Sequence, residues 1–578
     1  MPTNTLQSRA PGLIALAWLA AATPAAATPA RPAADLLLVN AKIYTVDPAQ
    51  PWAQAVAIRG GRIEAVGSTA DLAPLKDAHT RVVDLHGRLL LPAFGDAHVH
   101  PMFGGLSYSR CSLHAGNSVE DYKRIIAGCV AKTPGKGTVF GVGWRDAFFP
   151  PDGVPSKAIL DAISSDRALI FQSTGGHTYW VNSKALANAG ITKATPDPAN
   201  GKIDRDPATG EALGGLEEAA RDLVQPQIPD PTPKEREDAL LYTLHTLNAW
   251  GITNWQDALV DVAADGSSPV LDTYRTVEAS GALTAHTTVD LVWANDRGLE
   301  QLPVLLRTAA RADAEGVRVN AVKFFLDGVI VQHTAAMLAP YADSPERGDL
   351  QIAEPVFEEA VKQIDANGLQ AHIHAIGDRA VHVALDAFEA SRRAGNRDSR
   401  DMISHMNVIE PADQPRFGPL GVTAIFQPLW ACDEPYMRLT IEKIGPQRSQ
   451  YIYPEQGVLK GGGRIAYGSD WPVATADPLQ GIEVALTRTA PGVPGARALL
   501  PEQGVTLAEA IKAYTLEVAW VNHMEHETGS IEAGKSADLI VLDKDIFQLS
   551  PDDIHTAKVL TTIFEGKPVY GSLDSLAE

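Results

Sequence analysis

Short apolar runs separated by turn residues mark both ends of the chain. Near the beginning, runs at residues 36–38, 43–46, 55–58 and 63–66 are each long enough for one strand, and Gly60-Gly61 is typical of a hairpin turn. The same pattern returns at residues 539–542, 559–564 and 569–570. These runs predict one small β domain, made of residues 34–91 and 529–575, into which the middle of the chain is inserted.

The long middle, residues 92–528, alternates apolar strands with amphipathic helices. The strand candidates are residues 139–143, 168–172, 320–325, 369–374, 402–405, 423–427 and 464–468. The helix candidates are residues 354–367, 380–394 and 506–520, with Asp378 as a predicted N-cap and Thr506 with Glu509 as a predicted capping box. This alternation favours an α/β fold with a parallel sheet. A barrel suits the length better than several open sheets, although periodicity alone does not decide between them.

One segment of the middle has a different composition. Residues 194–233 are rich in Pro, Gly and Asp, which favours an insertion or a lid over the site rather than a core element. Glu217-Glu218 lies in this segment, and we expect these two acids to belong to a solvated helical face, because neighbours on a helix point in different directions.

The N-terminus is typical of a secretory signal peptide covering residues 1–27. Residues 12–23 form an apolar run too short to span a bilayer, and Ala25-Ala26-Ala27 offers a small-residue cleavage site. We therefore expect an exported, periplasmic protein. The alternative is a disordered leader rich in Ala and Pro.

Composition and charge narrow the class of partner. The chain has 578 residues and a net charge of -21, without a run of Lys or Arg. A nucleic-acid-binding protein normally presents a basic face, so that class is disfavoured. No later segment has the length and freedom from charge that a membrane span needs. We expect a small-molecule partner, and the sequence leaves open whether the chain forms a homo-oligomer.

Three cysteines, Cys111, Cys129 and Cys432, exclude a cysteine-rich zinc site and a disulfide framework. Cys111 and Cys129 could pair in an oxidising compartment, which the sequence alone does not decide.

The strongest candidate for chemistry begins at His98 and His100. They follow the apolar run at residues 88–91, so they lie near the end of a predicted strand. Residues two apart on a strand point to the same face, about 6–7 Å apart along the chain, and can converge on one metal ion. Two histidines with ordinary hydrogen-bond partners are the alternative.

Other metal-competent residues occupy equivalent positions. They are Lys323, His374, His405 and Asp470, each near the carboxyl end of a predicted strand. His374 is preferred to His372 because it lies closer to the strand end. In a parallel barrel those ends form one face, where active sites lie. Imidazole and carboxylate are ligands suited to zinc and similar divalent ions. A single core histidine usually has a backbone partner instead.

Lys323 is unusual because it lies in an otherwise apolar strand. Burial of a lysine is costly unless the amine is paired or neutral. A neutral amine can react with carbon dioxide to form a carbamate, which can bridge two cations. The alternative is a salt bridge to Asp327.

These residues resemble the amidohydrolase superfamily, and more narrowly its YtcJ-like (amidohydrolase 3) branch, which includes N-substituted formamide deformylases. The segments that carry the resemblance are residues 37–67, 91–101, 176–186, 322–328, 372–380, 403–405, 427–428, 468–472 and 529–542. The resemblance implies a metal-bearing (β/α)8 barrel and a β-sandwich built from both termini. The sequence departs from the family pattern at residues 326–330, after Lys323, so we expect a different substrate surface there.

The resemblance also implies roles for the candidate residues. His98 and His100 would bind one divalent metal, such as zinc, His374 and His405 a second, and a carboxylated Lys323 would bridge. Asp470 would bind metal and act as the base. Whether one metal or two are bound stays open.

For the substrate, His177 resembles a substrate-facing histidine of the family and is our candidate for stabilising the oxyanion, with a structural loop histidine as the alternative. Trp144, Asn182 and His333 are weaker candidates for the pocket wall. Aromatic residues in the predicted loops hint at an apolar or aromatic substrate group.

The predicted activity is hydrolysis of a non-peptide amide, N-acyl or N-formyl bond by metal-activated water. Hydrolysis of an ester, lactone or cyclic amide on the same site is the alternative, because the same water attacks all these carbonyl groups. A non-catalytic exported binding protein is a further alternative, which loss of ligands would favour, but every expected ligand is present.

Overall fold

The computed structural model describes residues 32–150 and 153–576. The predicted signal peptide, residues 1–27, lies outside them. The strands in this part of the chain are β1 (Leu36–Val39), β2 (Lys42–Tyr44), β3 (Trp52–Ala53), β4 (Ala55–Arg59), β5 (Arg62–Gly67), β6 (Arg81–Asp84), β7 (Leu89–Pro92), β8 (Phe94–Val99), β9 (Cys111–Ser112), β10 (Val139–Trp144), β11 (Leu169–Ser173), β12 (Thr178–Val181), β13 (Gly201–Arg205), β14 (Ala212–Glu218), β15 (Ile252–Val260), β16 (His286–Val292), β17 (Arg318–Phe325), β18 (Gln370–His374), β19 (Met402–Ser404), β20 (Thr423–Phe426), β21 (Arg464–Tyr467), β22 (Leu539–Leu542), β23 (Val559–Phe564) and β24 (Lys567–Tyr570).

The α-helices are α1 (Thr69–Leu72), α2 (Pro101–Ser109), α3 (Val119–Lys132), α4 (Lys157–Asp161), α5 (Ser183–Asn188), α6 (Pro233–Ala249), α7 (Pro269–Ala279), α8 (Leu302–Ala314), α9 (Glu354–Ala366), α10 (Asp378–Arg393), α11 (Phe417–Leu420), α12 (Pro435–Arg448), α13 (Glu455–Lys460), α14 (Pro478–Thr487), α15 (Leu507–Ala513) and α16 (Leu516–Val521). Within the described residues, no helix is both long enough and apolar enough to cross a membrane.

Eight parallel strands, β8 and β15 to β21, form the central sheet, and each lies beside its neighbour in chain order. β8 and β21 meet at the two free edges without a regular ladder. There the Asp470 N–H donates to the His98 carbonyl at 2.8 Å, and the His100 N–H donates to the Trp471 carbonyl at 3.0 Å. The α/β prediction is confirmed as a nearly closed eight-stranded parallel barrel.

A second sheet, which we call the inserted sheet, comprises β9 to β14 in the order β13-β14-β12-β11-β10-β9. It leaves the barrel after β8 and α2 and returns to it through α6. The expectation that residues 139–143 and 168–172 belong to the alternating barrel is wrong, because β10 and β11 pair with each other in this sheet. The barrel uses β15 and β16 instead, which the apolar pattern did not single out.

The segment at residues 194–233 contributes β13 and β14 to the inserted sheet. Glu217 and Glu218 end β14 and are buried, so the prediction of a solvated helical face is wrong. Glycines at 214 and 215 interrupt the apolar pattern of this strand, and its strand character was therefore hidden in the sequence.

The boundaries of α9 and α10 lie within two residues of the predictions. Asp378 is the first residue of α10, not its N-cap, which is Gly377. The predicted helix at residues 506–520 is two helices, α15 and α16, because Thr515 leaves the helical conformation. The capping box of Thr506 and Glu509 is confirmed.

The two chain ends share a sheet. β22 pairs antiparallel with β7, with Ile540 opposite Leu91, in a six-stranded sheet ordered β24-β23-β22-β7-β2-β3. A four-stranded sheet of β5, β4, β1 and β6 contributes to the same apolar cluster, in which Leu38 and Val83 lie with Leu90 and Val541. The assignment of these sheets to a β-sandwich, and the division of the chain into domains, stay predictions.

Cys111 and Cys129 form a disulfide between β9 and α3, and Cys432 is a buried free thiol. The pairing that the sequence left open is therefore present in the structure.

Candidate metal centre

Six metal-competent side chains meet at one mouth of the barrel, where each lies within, ends or follows a barrel strand. They are His98, His100, Lys323, His374, His405 and Asp470, and we call them the six-residue cluster. Because parallel strands present their carboxyl ends on one face, residues distant in sequence converge there.

Asp470 lies at the centre of the cluster. Its Oδ1 is 2.7 Å from His100 Nε2 and 3.4 Å from His98 Nε2. Its Oδ2 is 3.9 Å from His405 Nδ1. One donor atom from each of His98, His405 and Asp470 lies within 4.8 Å of the others, which is compatible with a single ion between them.

Lys323 and His374 complete the cluster. Lys323 Nζ is 3.4 Å from His98 Nε2, and the rings of His374 and His405 are 4.8 Å apart. The alternative of a salt bridge from Lys323 to Asp327 is not supported. The Asp327 carboxylate accepts from the backbone N–H groups of residues 336, 376 and 377 and lies 3.4 Å from His374 Nδ1.

Side chains also join the barrel edges beside the cluster. The Asp96 carboxylate accepts from the Ser469 hydroxyl at 2.5 Å and from the Ser469 N–H at 2.9 Å. It accepts from the His98 N–H at 3.1 Å as well. Gly468 allows the close approach, because a Cβ there would lie 2.6 Å from His98 Cβ. These contacts hold the His98 and Asp470 segments in register.

A buried hydrogen-bond chain orients His98 from below. His98 Nδ1 lies 3.0 Å from both Ser404 Oγ and His372 Nε2. Ser404 Oγ is 2.6 Å from His372 Nε2, and His372 Nδ1 is 2.6 Å from Asp290 Oδ2. With Nδ1 engaged in this chain, His98 presents Nε2 to the cluster, an arrangement common for metal-ligating histidines.

Burial keeps the imidazoles of His98, His374 and His405 neutral. Removal from water, reinforced by nearby positive charges, lowers the pKa of His98, His374 and His405 well below the ordinary value. Burial also lowers the pKa of Lys323 to about 7, against the opposing effect of the Asp290 and Asp470 charges. Neutral imidazoles have the lone pairs that metal coordination requires.

The donor set fits a divalent cation. Among the described residues, His100 Nδ1 and His374 Nδ1 are buried atoms without a hydrogen-bond partner. Asp470 Oδ1 lies against the His100 and His98 rings, at 2.7 and 3.4 Å from their Nε2 atoms, without a hydrogen bond of good geometry. Buried polar atoms are normally satisfied, so several unsatisfied ones in one place require an explanation. A zinc-like ion bound by imidazole and carboxylate would provide it.

The inserted sheet brings His177 to the same mouth. The His177 ring lies 5.3 Å from the His374 ring. Its Nδ1 is 3.0 Å from each carboxylate oxygen of Glu218. Burial tends to raise the pKa of Glu218, but the contacts with His177 hold it below its ordinary value, so the carboxylate is ionised at neutral pH.

Comparison with known proteins agrees with this geometry. The profile described as the amidohydrolase family matches residues 81–570, a span that contains the barrel, the inserted sheet and the six-residue cluster. The chain belongs to the amidohydrolase family.

Similar relatives cover nearly the whole of this amidohydrolase. Protein LONG AFTER FAR-RED 3 of Arabidopsis thaliana is 31% identical over 558 residues, which cover 94% of this chain and 92% of that protein. N-substituted formamide deformylase of Arthrobacter pascens is 26% identical over 550 residues, covering 92% of this chain and 97% of that enzyme. The resemblance inferred from the sequence motifs is thereby confirmed.

A solved structure shares the fold. It is described as an uncharacterized metal-dependent hydrolase from Pyrococcus horikoshii OT3, and it has a TM-score of 0.69 and 22% identity to this amidohydrolase. The match covers 89% of this chain and 99% of that one.

The three remaining predicted site residues of the amidohydrolase make contacts elsewhere. The Trp144 indole N–H donates to the Phe171 carbonyl, and the ring packs within the inserted sheet. The Asn182 side chain caps α5 and donates to two backbone carbonyls. His333 Nε2 lies 2.8 Å from Asp343 Oδ1. None of these described contacts involves the six-residue cluster, and a role for these residues in the pocket stays a prediction.

The sequence did not predict the roles of four residues that support the site, which are Asp96, Glu218, Asp290 and Ser404. A signal was available for Asp290, because an acid inside the apolar strand β16 requires a buried partner. For Ser404 and Glu218 the partners come from distant strands, and no local pattern indicates them.

Proposed function

We propose that this amidohydrolase is a metal-dependent hydrolase that cleaves the carbon–nitrogen bond of a non-peptide amide, N-acyl or N-formyl compound. The observation that carries the proposal is the buried cluster of imidazoles around Asp470, in which His100 Nδ1 and His374 Nδ1 have no hydrogen-bond partner. The similarity to N-substituted formamide deformylase over 92% of the chain supports the choice of bond.

We assign the ligands as follows from the donor set. His98 and His100 would hold one divalent cation, such as zinc, His374 and His405 would hold a second where two are bound, and Asp470 and a carboxylated Lys323 would contribute oxygen ligands. When bound, such a cation lowers the pKa of a water molecule towards 7 and polarises a carbonyl group.

Asp470 is the proposed general base and acid. It takes a proton from water as the oxygen–carbon bond forms, and it delivers that proton to the nitrogen as the carbon–nitrogen bond breaks. The products are a carboxylic acid and an amine. His177 faces the cluster from the inserted sheet and would hydrogen-bond to the developing oxyanion.

Lys323 is suited to carboxylation because its pKa of about 7 leaves neutral amine available near neutral pH. The amine attacks carbon dioxide, a nitrogen–carbon bond forms and one proton is lost, which leaves a carbamate anion. Protein prepared with 13C-bicarbonate should show a carbamate carbon resonance that Lys323→Arg lacks. A wild-type spectrum without that resonance would contradict carboxylation.

The proposed reaction is tested with matched substrates. N-formyl, N-acyl, ester, lactone and cyclic amide compounds that carry the same aromatic group should be compared by kcat/KM. Preference for the N-formyl or N-acyl compound supports the proposal, and preference for the ester or lactone favours the alternative activity. Exhaustive chelation should abolish turnover and added zinc should restore it, whereas full activity after chelation would contradict the metal requirement.

We also propose that the protein is exported to the periplasm. The pattern of residues 1–27 and the disulfide between Cys111 and Cys129 support this, because disulfides persist in oxidising compartments. Cell fractionation and the N-terminal sequence of the mature protein test it, and recovery of uncleaved protein in the cytosol would contradict it.

A further inference from the structure

Glu218 lies where the inserted sheet meets the barrel. It is the last residue of β14, and its side chain is nearly buried. Besides the contacts to His177, its Oε1 accepts from the Thr334 hydroxyl at 3.0 Å. Thr334 belongs to the barrel loop that follows β17, so one carboxylate joins residues from two parts of the fold.

The backbone also ties Glu218 to His177. The Glu218 N–H donates to the His177 carbonyl at 2.9 Å, and the Arg221 guanidinium donates to the Glu218 carbonyl. Glu218 has φ 46° and ψ -126°, a conformation that residues with a side chain rarely adopt. Such a conformation costs on the order of 1–3 kcal/mol and persists only where the surroundings hold it.

The barrel loop packs directly on the carboxylate. A Cβ at Gly328 would lie 2.5 Å from Glu218 Oε1 and 2.2 Å from Thr334 Oγ1. Only a residue without a side chain fits there.

An ionised carboxylate only accepts hydrogen bonds. Both Glu218 oxygens lie 3.0 Å from His177 Nδ1, so Nδ1 carries a proton and donates a hydrogen bond to the Glu218 carboxylate. Nε2 is then the ring nitrogen left free for the substrate. To donate a hydrogen bond to an oxyanion, Nε2 must carry a proton as well, and only the imidazolium form of the ring has a proton on both nitrogens. Without Glu218, Nδ1 would lose its hydrogen-bond acceptor and the ring could rotate.

We propose that Glu218 is a positioning residue, supported by Thr334, that holds the His177 ring with its Nδ1–H towards Glu218 and its Nε2 towards the substrate carbonyl. The inference rests on the proposed function for the role of His177 in turnover. The effect of Glu218 on the His177 ring can be measured without a substrate.

The first experiment measures the ring itself. The protein, which has 16 histidines, is labelled with 15N-histidine, and the His177 signals are assigned by their loss in His177→Asn. Nitrogen shifts distinguish a protonated from an unprotonated ring nitrogen. We expect a protonated Nδ1 in the wild type and a loss or mixture of that state in Glu218→Ala. An unprotonated Nδ1 in the wild type, or a spectrum unchanged in Glu218→Ala, would overturn the proposal.

The second experiment measures turnover of whichever compound of the substrate panel is cleaved. Glu218→Ala should lower kcat about 10- to 100-fold, with a smaller change in KM and unchanged metal content. Glu218→Gln should fall between Glu218→Ala and the wild type, because the amide oxygen still accepts from Nδ1. If Glu218→Ala folds poorly, Glu218→Gln replaces it in this measurement. Thr334→Val should lower kcat less than Glu218→Ala does. Thr334→Ser keeps the hydroxyl group and should therefore stay closer to the wild type than Thr334→Val.

Glu217→Gln is the matched control. Glu217 is the strand neighbour of Glu218, it is also buried, and it faces Lys202 at 3.5 Å. Its variant should keep kcat within about twofold of the wild type. In a double-mutant cycle, Glu218→Ala should add little once His177 is replaced by Ala. Additive losses would contradict action through His177. If no compound is cleaved, the proposed function fails. The 15N chemical shifts of His177 then still show whether Glu218 positions the ring.

Discussion

His405 and Asp470 both have left-handed backbone conformations, with φ 71° and φ 58°. Residues with a Cβ adopt this region at a cost, and such strain concentrates at functional sites where neighbouring contacts maintain it. At Asp470 the backbone N–H is held by the His98 carbonyl. Because the backbone carries the strain, a change of the Asp470 side chain alone should alter the chemistry without moving the loop.

Asp470→Asn should therefore reduce kcat by a factor of about 100 or more, because an amide cannot accept and return a proton. Most of the bound metal should remain, because three or more imidazoles are untouched. Metal content by elemental analysis and kcat on the best substrate provide the measurements. Asp398→Asn, at an exposed position, should behave as the wild type. Near-wild-type turnover in Asp470→Asn would show that another group is the base.

Asp257 predicts a pH dependence of stability. Burial, with smaller effects of the Asp290 and Asp261 charges, raises its pKa to about 8, although hydrogen bonds from Tyr274 and Leu259 oppose this. Between pH 4 and 8 the folded chain therefore keeps a proton that the unfolded chain has lost. The free energy of unfolding should fall as pH rises, by at most about 1.4 kcal/mol per pH unit from this group.

Asp257→Asn should remove that part of the slope, because asparagine stays neutral in both states. Urea unfolding at pH 5, 6 and 7 measures it, with the exposed Asp574→Asn as the control that keeps the wild-type slope. Identical slopes in all three proteins would show that Asp257 is ionised in the folded state.

At the scale of elements, β8 and β21 join through loops and side chains rather than through a ladder. Asp96 receives three hydrogen bonds across or along this seam, and Gly468 lies against the His98 backbone. A seam without ladder hydrogen bonds depends on close packing. A change at the seam should therefore affect the position of His98 as well as stability.

Gly468→Ala tests the seam. Its Cβ would lie 2.6 Å from His98 Cβ and 2.7 Å from His98 N, so we expect destabilisation by about 1–3 kcal/mol and weaker metal binding. Gly128→Ala, in α3 with open space around the added Cβ, should be neutral or stabilise by up to about 1 kcal/mol. Denaturant unfolding and metal titration measure both. Equal stability of the two variants would contradict the close packing.

At the scale of the whole molecule, the inserted sheet carries His177 and Glu218 to a barrel mouth that otherwise belongs to the eight barrel strands. The sheet has apolar clusters of its own on its two sides. The disulfide between Cys111 and Cys129 connects its edge strand β9 to α3. We expect that link to stabilise the part of the inserted sheet nearest to α2 and His100.

The disulfide closes a loop with a sequence separation of 18 residues. Replacement of both cysteines by alanine should therefore lower the free energy of unfolding by about 3 kcal/mol. The wild type in a reductant that does not bind zinc should match the double variant, and the double variant should not respond to the reductant. A wild type that is unaffected by reduction would contradict a stabilising role for this disulfide.

The sequence by itself determined the α/β class of the fold and the positions of the candidate metal-binding residues. Alternation of apolar strands and amphipathic helices favours a parallel sheet. The H-x-H pair, His405 and Asp470 stand out as polar residues near the ends of apolar runs, and Lys323 stands out as a charged residue inside one. Their convergence follows because all parallel strands end on one face. The hydrophobic pattern was sufficient for these features, because each strand or helix and the pattern that predicts it lie in the same few residues.

Tertiary structure decided the rest. β10 and β11 look like barrel strands locally, but pairing with each other and with β12 places them in the inserted sheet. Glu218 was assigned to solvent, because nothing near it in sequence shows that His177 and Thr334 will face it. The chain from Asp290 through His372 and Ser404 to His98 joins four strands. Such contacts depend on strand order and register across hundreds of residues, which short-range hydrophobic periodicity does not specify.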